Sequence, residues 1–218
     1  SFFLHPHEAI PYAQESRGLG DVYKRQKRVF VMNAQQKNKA LFLDRDGVVN
    51  VDHGYVYQSD KFEFIDGVFS TCKTFYDAGY KIIIVTNQSG IGRGYYTEAD
   101  FLALTEWMKD QFSAHSIAVT DVYFCPHHPK KAGPEYLKEC SCRKPAPGML
   151  LQGIQEHNID PACSIMVGDK LSDMQAAKKA GITTRVLVRS GQSFDERAKQ
   201  EADLIIDSIN SLPALLNT

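Results

Sequence analysis

Residues 39–50 read Lys-Ala-Leu-Phe-Leu-Asp-Arg-Asp-Gly-Val-Val-Asn, and this stretch decides the fold. Residues 40–43 are apolar at consecutive positions, which fits a strand buried on both faces, as in a parallel sheet. The run passes directly into Asp44 and Asp46. Two carboxylates one residue apart at the end of a buried strand are costly unless a cation holds them. Gly47 lets the chain turn sharply there and approach a ligand closely.

Downstream of this point strand and helix alternate. Asp66 is expected to cap a helix whose apolar positions Val68, Cys72, Phe75 and Tyr76 keep a 3.6-residue period, with Gly79 closing it. Residues 82–85 (Ile-Ile-Ile-Val) form a second strand apolar on both faces. Thr97 and Asp100 open the next helix as a capping box, with Phe101, Leu104, Met108 and Phe112 as its buried stripe. Residues 119–124 read as a third strand, followed by a cysteine-rich loop. A helix over 147–157 then starts with Pro147 in its first turn. Strands at 164–167, 184–188 and 203–206, a helix at 173–180 followed by Gly181, and a short final helix complete the pattern.

This alternation predicts an α/β protein: a Rossmann-like, mostly parallel sheet with helices on both faces. Strand and helix fill the intervals Asp46–Thr86 and Thr86–Lys144, leaving no room for a separate cap domain. An uncapped site is open, so selectivity falls to the loops 52–59 and 91–96 and to the cysteine loop.

Composition narrows the class. The chain has 218 residues and a formal net charge of −1, so nothing advertises a nucleic acid or an anionic membrane as partner. No apolar run approaches the roughly 20 residues of a membrane helix. Residues 1–28 mix Pro, His, Gly and charge without a sustained period, and lack the regions of a secretory signal. Residues 1–33 are expected to be an extension foreign to the working domain, with Met32 the native start and 34–218 the domain itself.

In doubly wound sheets, ligands bind beyond the carboxyl ends of the strands. Three segments bring polar residues to that edge: Asp44 and Asp46 after the first strand, Thr86-Asn87-Gln88 at the second, Gly168-Asp169-Lys170 at the fourth. Asp44 can ligate Mg²⁺ or act as a nucleophile, and Asp46 can serve as acid and base. Thr86, with nearby backbone amides and Gly90, Gly92 and Gly94, can cradle phosphate oxygens. Lys144 can neutralise charge on a phosphate. Asp169 would complete a magnesium site, and Asp173 can orient Lys144 or metal-bound water. Each residue alone also fits a plainer role as a cap, a surface lysine or a helix start; the combination is what points to phosphoryl chemistry.

The segments Asp-Arg-Asp-Gly-Val-Val-Asn, Val-Thr-Asn-Gln, Arg-Lys-Pro and Gly-Asp-Lys-Leu-Ser-Asp resemble the four motifs of the haloacid dehalogenase superfamily of phosphatases. Residues 39–191 most resemble its branch that removes the 7-phosphate from heptose 1,7-bisphosphates. Val51-Asp52-His53-Gly54-Tyr55, residues 86–93 and the cysteine loop carry that closer match. The resemblance implies Asp44 as nucleophile, Asp46 as acid/base, and Thr86 and Lys144 as stabilisers of the phosphoryl group. It implies Mg²⁺ on Asp44, Asp169 and the backbone carbonyl of Asp46. Substrate contacts are implied for Asp52, His53, Gly54, Tyr55, Asn87, Gln88, Ser89, Arg143 and Lys170. It further implies a cytoplasmic enzyme, expected to be a monomer, acting on a small phosphorylated sugar in making activated heptose for the lipopolysaccharide core or related glycans. Two other readings stay open: a histidinol-phosphate phosphatase, which shares the four motifs and the cysteine loop, and an inactive phosphosugar-binding protein.

Cys125-Pro-His127-His128 and Cys140-Ser-Cys142 put three thiolates and an imidazole on the arms of one loop, spanning 125–142. Tetrahedral Zn²⁺ accepts such a set, and four protein ligands make a closed, structural site. The spacing is tighter than that of a zinc finger, but matches the similar family. The resemblance, and not the chemistry, selects His127 over His128. Cys142 directly precedes Arg143 and Lys144, so the zinc would fix the loop that carries both cations. Cys72 and Cys163 read as core residues, and Trp107 as packing.

Overall fold

The computed structural model describes residues 37–217, so the expectation for residues 1–33 lies outside the described residues. Six strands, β1 (Lys39–Leu43), β2 (Tyr80–Asn87), β3 (Val119–Cys125), β4 (Ile165–Gly168), β5 (Thr184–Val188) and β6 (Leu204–Ile206), form one sheet in the order β3-β2-β1-β4-β5-β6. All of its pairings are parallel. The helices are α1 (Val68–Asp77), the single turn α2 (Ser89–Gly92), α3 (Glu98–Ala114), α4 (Gly148–Glu156), α5 (Leu171–Lys179) and α6 (Glu196–Glu201).

The period-2 alternation of the strands sorts the core into two layers. Leu41, Leu43, Ile82, Ile84, Ile165 and Val167 face one way and pack with α1 and α3 through Cys72, Phe75, Leu104, Met108 and Phe112. Ala40, Phe42, Ile83, Val85 and Met166 face the other way, onto Met149, Leu150, Ala176 and Ala177 of α4 and α5. Ala40–Leu43 and Ile82–Val85 are fully buried, as their unbroken apolar runs require. Among the described residues no segment forms a separate cap domain over the sheet edge.

Several local expectations are corrected. Asp66 does not cap α1. Gly67 holds that position with φ 78°, and its missing side chain makes room for Asn210, whose Cβ would lie 2.5 Å from an added methyl. Tyr76 is exposed, and Thr71 takes the buried position on α1 instead. Pro147 is the N-cap of α4 and not in its first turn. The final helix is a 3₁₀ segment, Ile209–Asn217, and α6, capped by Asp195, was not anticipated. Cys163 sits exposed on the 3₁₀ turn Pro161–Cys163, because that turn leaves the sheet before β4 begins; Cys72 is buried as expected. The capping box of α3 forms with both of its hydrogen bonds, and Trp107 packs against Phe62 and Phe64.

Candidate active site

The strand order reverses at β1, with β2 on one side and β4 on the other, and the polar segments meet at the carboxyl ends of these three strands. Gly47 has φ 94°, and an added Cβ would lie 2.6 Å from Asp169 Oδ2. Only glycine allows the turn after β1 to pass so close to the end of β4.

Lys144 is the electrostatic centre. Its Nζ lies 2.9 Å from Asp44 Oδ1 and 2.6 Å from Asp173 Oδ1, and donates to the Val85 carbonyl at 2.8 Å. Only 3% of Lys144 is exposed. Burial works against its charge, but the carboxylates of Asp173 and Asp44 outweigh that and hold it above the ordinary lysine range. Asp173, whose role the sequence left open, therefore orients this lysine, and its Oδ2 also accepts from Lys170 N at 3.0 Å.

Asp44, Asp169 and Asp173 bring one oxygen each within 4.8 Å of one another. Burial, opposed by Lys144 but reinforced by the neighbouring carboxylates, pushes Asp44 up to about 7, and burial with Asp173 pushes Asp169 above its usual range. Asp169 Oδ1 is buried without a hydrogen-bond partner. Crowded carboxylates with an unsatisfied oxygen are what a hard divalent cation relieves, so the donor set fits Mg²⁺.

Asp46 is held quite differently. Its Oδ1 accepts from Arg45 Nη2 at 2.8 Å and from Asn50 Nδ2 at 3.1 Å, and its Oδ2 accepts from Gln88 Nε2 at 3.1 Å. Burial pushes its carboxyl up, but the Arg45 charge and these hydrogen bonds outweigh burial and hold it below the ordinary carboxylate range. Arg45 is itself buried, its guanidinium against the rings of Phe62 and Phe101. Sequence reading assigned nothing to Arg45 or Asn50; their place beside the acid–base candidate was the available signal.

A cleft of about 400 Å³ opens over these groups. Asp46 and Lys144 line it together with Asn87, Gln88 and Ser89. Asp52, Gly54, Tyr55, Arg143 and Lys170 complete the expected lining, joined by the unanticipated Gly90, Tyr96, Ser172 and Gln192. Thr86 lies beneath, 1% exposed, its hydroxyl accepting from Gln88. His53 is not brought in. Its exposed imidazole lies 3.0 Å from Glu63, on a separate surface with Asp60 and Lys61, because the turn at Gly54 directs the neighbouring side chains apart. Gly92 and Gly94 also lie off the cleft: Gly92 abuts Pro126 and Tyr136, so its smallness serves packing and not a phosphate cradle. Gln192 was invisible to sequence reading because only the fold carries the loop after β5 here, where Gln192 N bonds Asp169 and its amide bonds Asp52.

The cysteine loop draws its four donors together. The sulfurs of Cys125, Cys140 and Cys142 lie 3.0–3.5 Å apart, and His127 Nδ1 lies 3.4 Å from Cys142. All three cysteines are free thiols, and burial, with hydrogen bonding to Cys142, pushes the Cys125 thiol up. Tetrahedral Zn–S bonds of about 2.3 Å need sulfurs about 3.8 Å apart, so this donor set fits zinc after small adjustments. The loop is tied to the cleft by Arg143 Nη1, which donates to the His127 carbonyl at 3.1 Å.

The sheet, the strand-end carboxylates and the buried lysine define a haloacid dehalogenase-like phosphatase, and the HAD-hydrolase-like family matches residues 141–212. Among curated proteins, the D-glycero-beta-D-manno-heptose-1,7-bisphosphate 7-phosphatase of Yersinia pestis is 51% identical over 178 residues, 82% of this chain and 95% of that protein. The Escherichia coli K12 protein of the same name is 49% identical, covering 80% and 91%. The chain belongs to the D-glycero-beta-D-manno-heptose-1,7-bisphosphate 7-phosphatase family. Among solved structures, the D,D-heptose 1,7-bisphosphate phosphatase of B. bronchiseptica, complexed with magnesium and phosphate, is similar with a TM-score of 0.70 and 29% identity, over 82% of this chain and 98% of that one.

Proposed function

We propose that the protein hydrolyses the 7-phosphate of D-glycero-beta-D-manno-heptose 1,7-bisphosphate through an aspartyl-phosphate on Asp44. The observation that supports this best is the division of labour between two neighbouring carboxylates. Asp44 faces Lys144 within the cation-type cluster, while Asp46 is held apart by Arg45, Asn50 and Gln88.

Asp44 attacks phosphorus in line, and Lys144 offsets the charge on the phosphoryl oxygens. Asp46 takes up a proton as the substrate's phosphate docks beside it, and gives that proton to the departing sugar oxygen as the P–O bond breaks. It then takes a proton from the water that hydrolyses the aspartyl-phosphate, releasing phosphate and restoring Asp44. Thr86 steadies the phosphoryl group. Asp44, Asp169 and the backbone carbonyl of Asp46 would hold magnesium, which would supply charge neutralisation at the phosphate.

Asp52, Gly54, Tyr55, Asn87, Ser89, Arg143 and Lys170 are the substrate-contacting set of this reading; Gln88, whose amide is taken up by Tyr96, Thr86 and Asp46, drops out of it. Cys125, His127, Cys140 and Cys142 would hold zinc as a structural ion, which would steady the Arg143–Lys144 segment. A thiolate site keeps its ligands where thiols stay reduced, which supports a cytoplasmic location. One chain supplies every catalytic group, which supports a monomer. The product would feed synthesis of an activated heptose.

The test is phosphate release with Mg²⁺ from heptose 1,7-bisphosphate and histidinol phosphate side by side, with Asp44→Asn as control. Preference for the heptose, lost in the control, is expected. Preference for histidinol phosphate would move the substrate and keep the chemistry. Release from neither would sink the reading.

A further inference from the structure

Tyr96 is a buried residue of the loop before α3, and its hydroxyl donates to Gln88 Oε1. The other end of the same amide donates to Asp46 Oδ2 at 3.1 Å and to Thr86 Oγ1 at 2.8 Å. Every polar group of Gln88's amide is thus committed, and only 2% of the residue is exposed. Two further features serve this arrangement. Tyr57 stacks on the Tyr96 ring at 5.1 Å, nearly parallel. Gly90 has no side chain where the ring sits; an added Cβ would lie 2.3 Å from Tyr96 Cε1.

The geometry points to Tyr96 as a positioning residue that acts through Gln88, fixing the amide so that its N–H end faces Asp46 and aims that carboxyl at the leaving oxygen. An amide turned over keeps its shape but presents its carbonyl to Asp46, oxygen against oxygen. The Tyr96 hydroxyl gives the Gln88 carbonyl a buried partner in the productive orientation. Burial pushes the phenol up to about 12, so it keeps its proton through the neutral range. Without that hydroxyl the Gln88 carbonyl is left without a donor, and a buried unpaired acceptor is costly. The amide then gains by swinging toward water in the cleft, taking its N–H off Asp46.

This inference rests on the acid role proposed above for Asp46, and it has a signature that packing alone would not give. A sugar alkoxide is a poor leaving group and needs the proton, whereas a nitrophenolate departs without one. The quantity kcat/KM reports only steps up to formation of the aspartyl-phosphate. Tyr96→Phe keeps the ring against Tyr57 and Gly90. It is expected to lower kcat/KM for heptose 1,7-bisphosphate about tenfold, and for p-nitrophenyl phosphate less than about twofold. Gln88→Leu should reproduce the split, and the double variant should be no worse than Gln88→Leu, since the two act as one unit.

Equal losses on both substrates, no loss on the sugar phosphate, or additive losses in the double variant would each overturn the proposal. If Tyr96→Phe shows a collapsed melting transition, the Gln88→Leu comparison decides. If the wild-type protein ignores the heptose but cleaves another alkyl phosphate, the substrate assignment falls, and the same comparison on that alkyl phosphate still tests Tyr96.

Discussion

The side chain of Asn87 and the main chain of Lys144 exchange two hydrogen bonds. Lys144 N donates to Asn87 Oδ1 at 3.0 Å, and Asn87 Nδ2 donates to Lys144 O at 3.1 Å. The end of β2 thereby clasps a loop 57 residues away and sets the depth at which the lysine ammonium enters the carboxylate cluster. Asn87→Ala removes both bonds and leaves two backbone groups unpaired. We expect kcat to fall about tenfold, because the charge on the phosphate is then met by a misplaced cation. Steady-state kinetics check this, and an unchanged kcat would show that the clasp is dispensable.

The thiols should report on zinc. Cys72 is fully buried and burial pushes its pKa up to about 12, so almost none of it is thiolate at pH 8. Cys163 is exposed. With zinc held, an alkylating reagent should modify Cys163 alone. After a chelator strips the metal, Cys125, Cys140 and Cys142 should follow, and Cys72 should react only on denaturation. Intact-mass spectrometry counts the adducts; labelling of all three loop thiols before chelation would mean that they do not hold zinc.

Gly191 lies against the magnesium-type cluster. A Cβ there would stand 2.2 Å from Asp169 Oδ2, too close for any relaxed contact. Gly191→Ala must therefore push Asp169 aside while leaving the sheet untouched. The Mg²⁺ concentration giving half-maximal activity is expected to rise about tenfold or more. A titration of activity against Mg²⁺ tests this, and an unaltered midpoint would remove Asp169 from the cation site.

Asp203 pins β6 to β5. Its carboxylate accepts three hydrogen bonds from Arg185, from the backbone N and from Nε and Nη2, each at 2.8 Å. Partial burial pushes its carboxyl up, but the bonds and charge of Arg185 outweigh that and hold it below the ordinary carboxylate range. A pKa lower in the folded than in the unfolded chain gives stability that is present above the unfolded value and is lost as pH falls through the folded one. Asp203→Asn should therefore melt earlier than the wild type at pH 7, with the gap narrowing below about pH 4. A gap independent of pH would contradict this.

What the sequence made legible was whatever depends on neighbours along the chain. Residues 40–43 and 82–85 had to be central strands because nothing polar interrupts them, and Asp44, Asp46 and Asp169 follow from strand ends. Thr97 and Asp100 carry their capping box within four residues. The failures were of another kind. Asp66 looked like a cap, but Asn210, far along the chain, claims the space beside Gly67. Tyr76 fits the helical period, yet among the described residues it stays exposed and Thr71 is buried in its place. Gln88 was assigned to substrate, although Tyr96, Thr86 and Asp46 fill its bonding capacity. Gln192 became visible only when folding set it against Asp169 and Asp52, whereas Arg45 stood beside Asp46 in the sequence and was passed over.

Only Arg143 stands between a zinc-type ligand, Cys142, and the lysine that faces Asp44, Lys144. Two donor sets of different chemistry therefore converge on one lysine: hard carboxylate oxygens in front of it and soft thiolates behind it. Loss of zinc alone would then slacken the segment that carries Lys144, and turnover would fall with the carboxylate cluster intact.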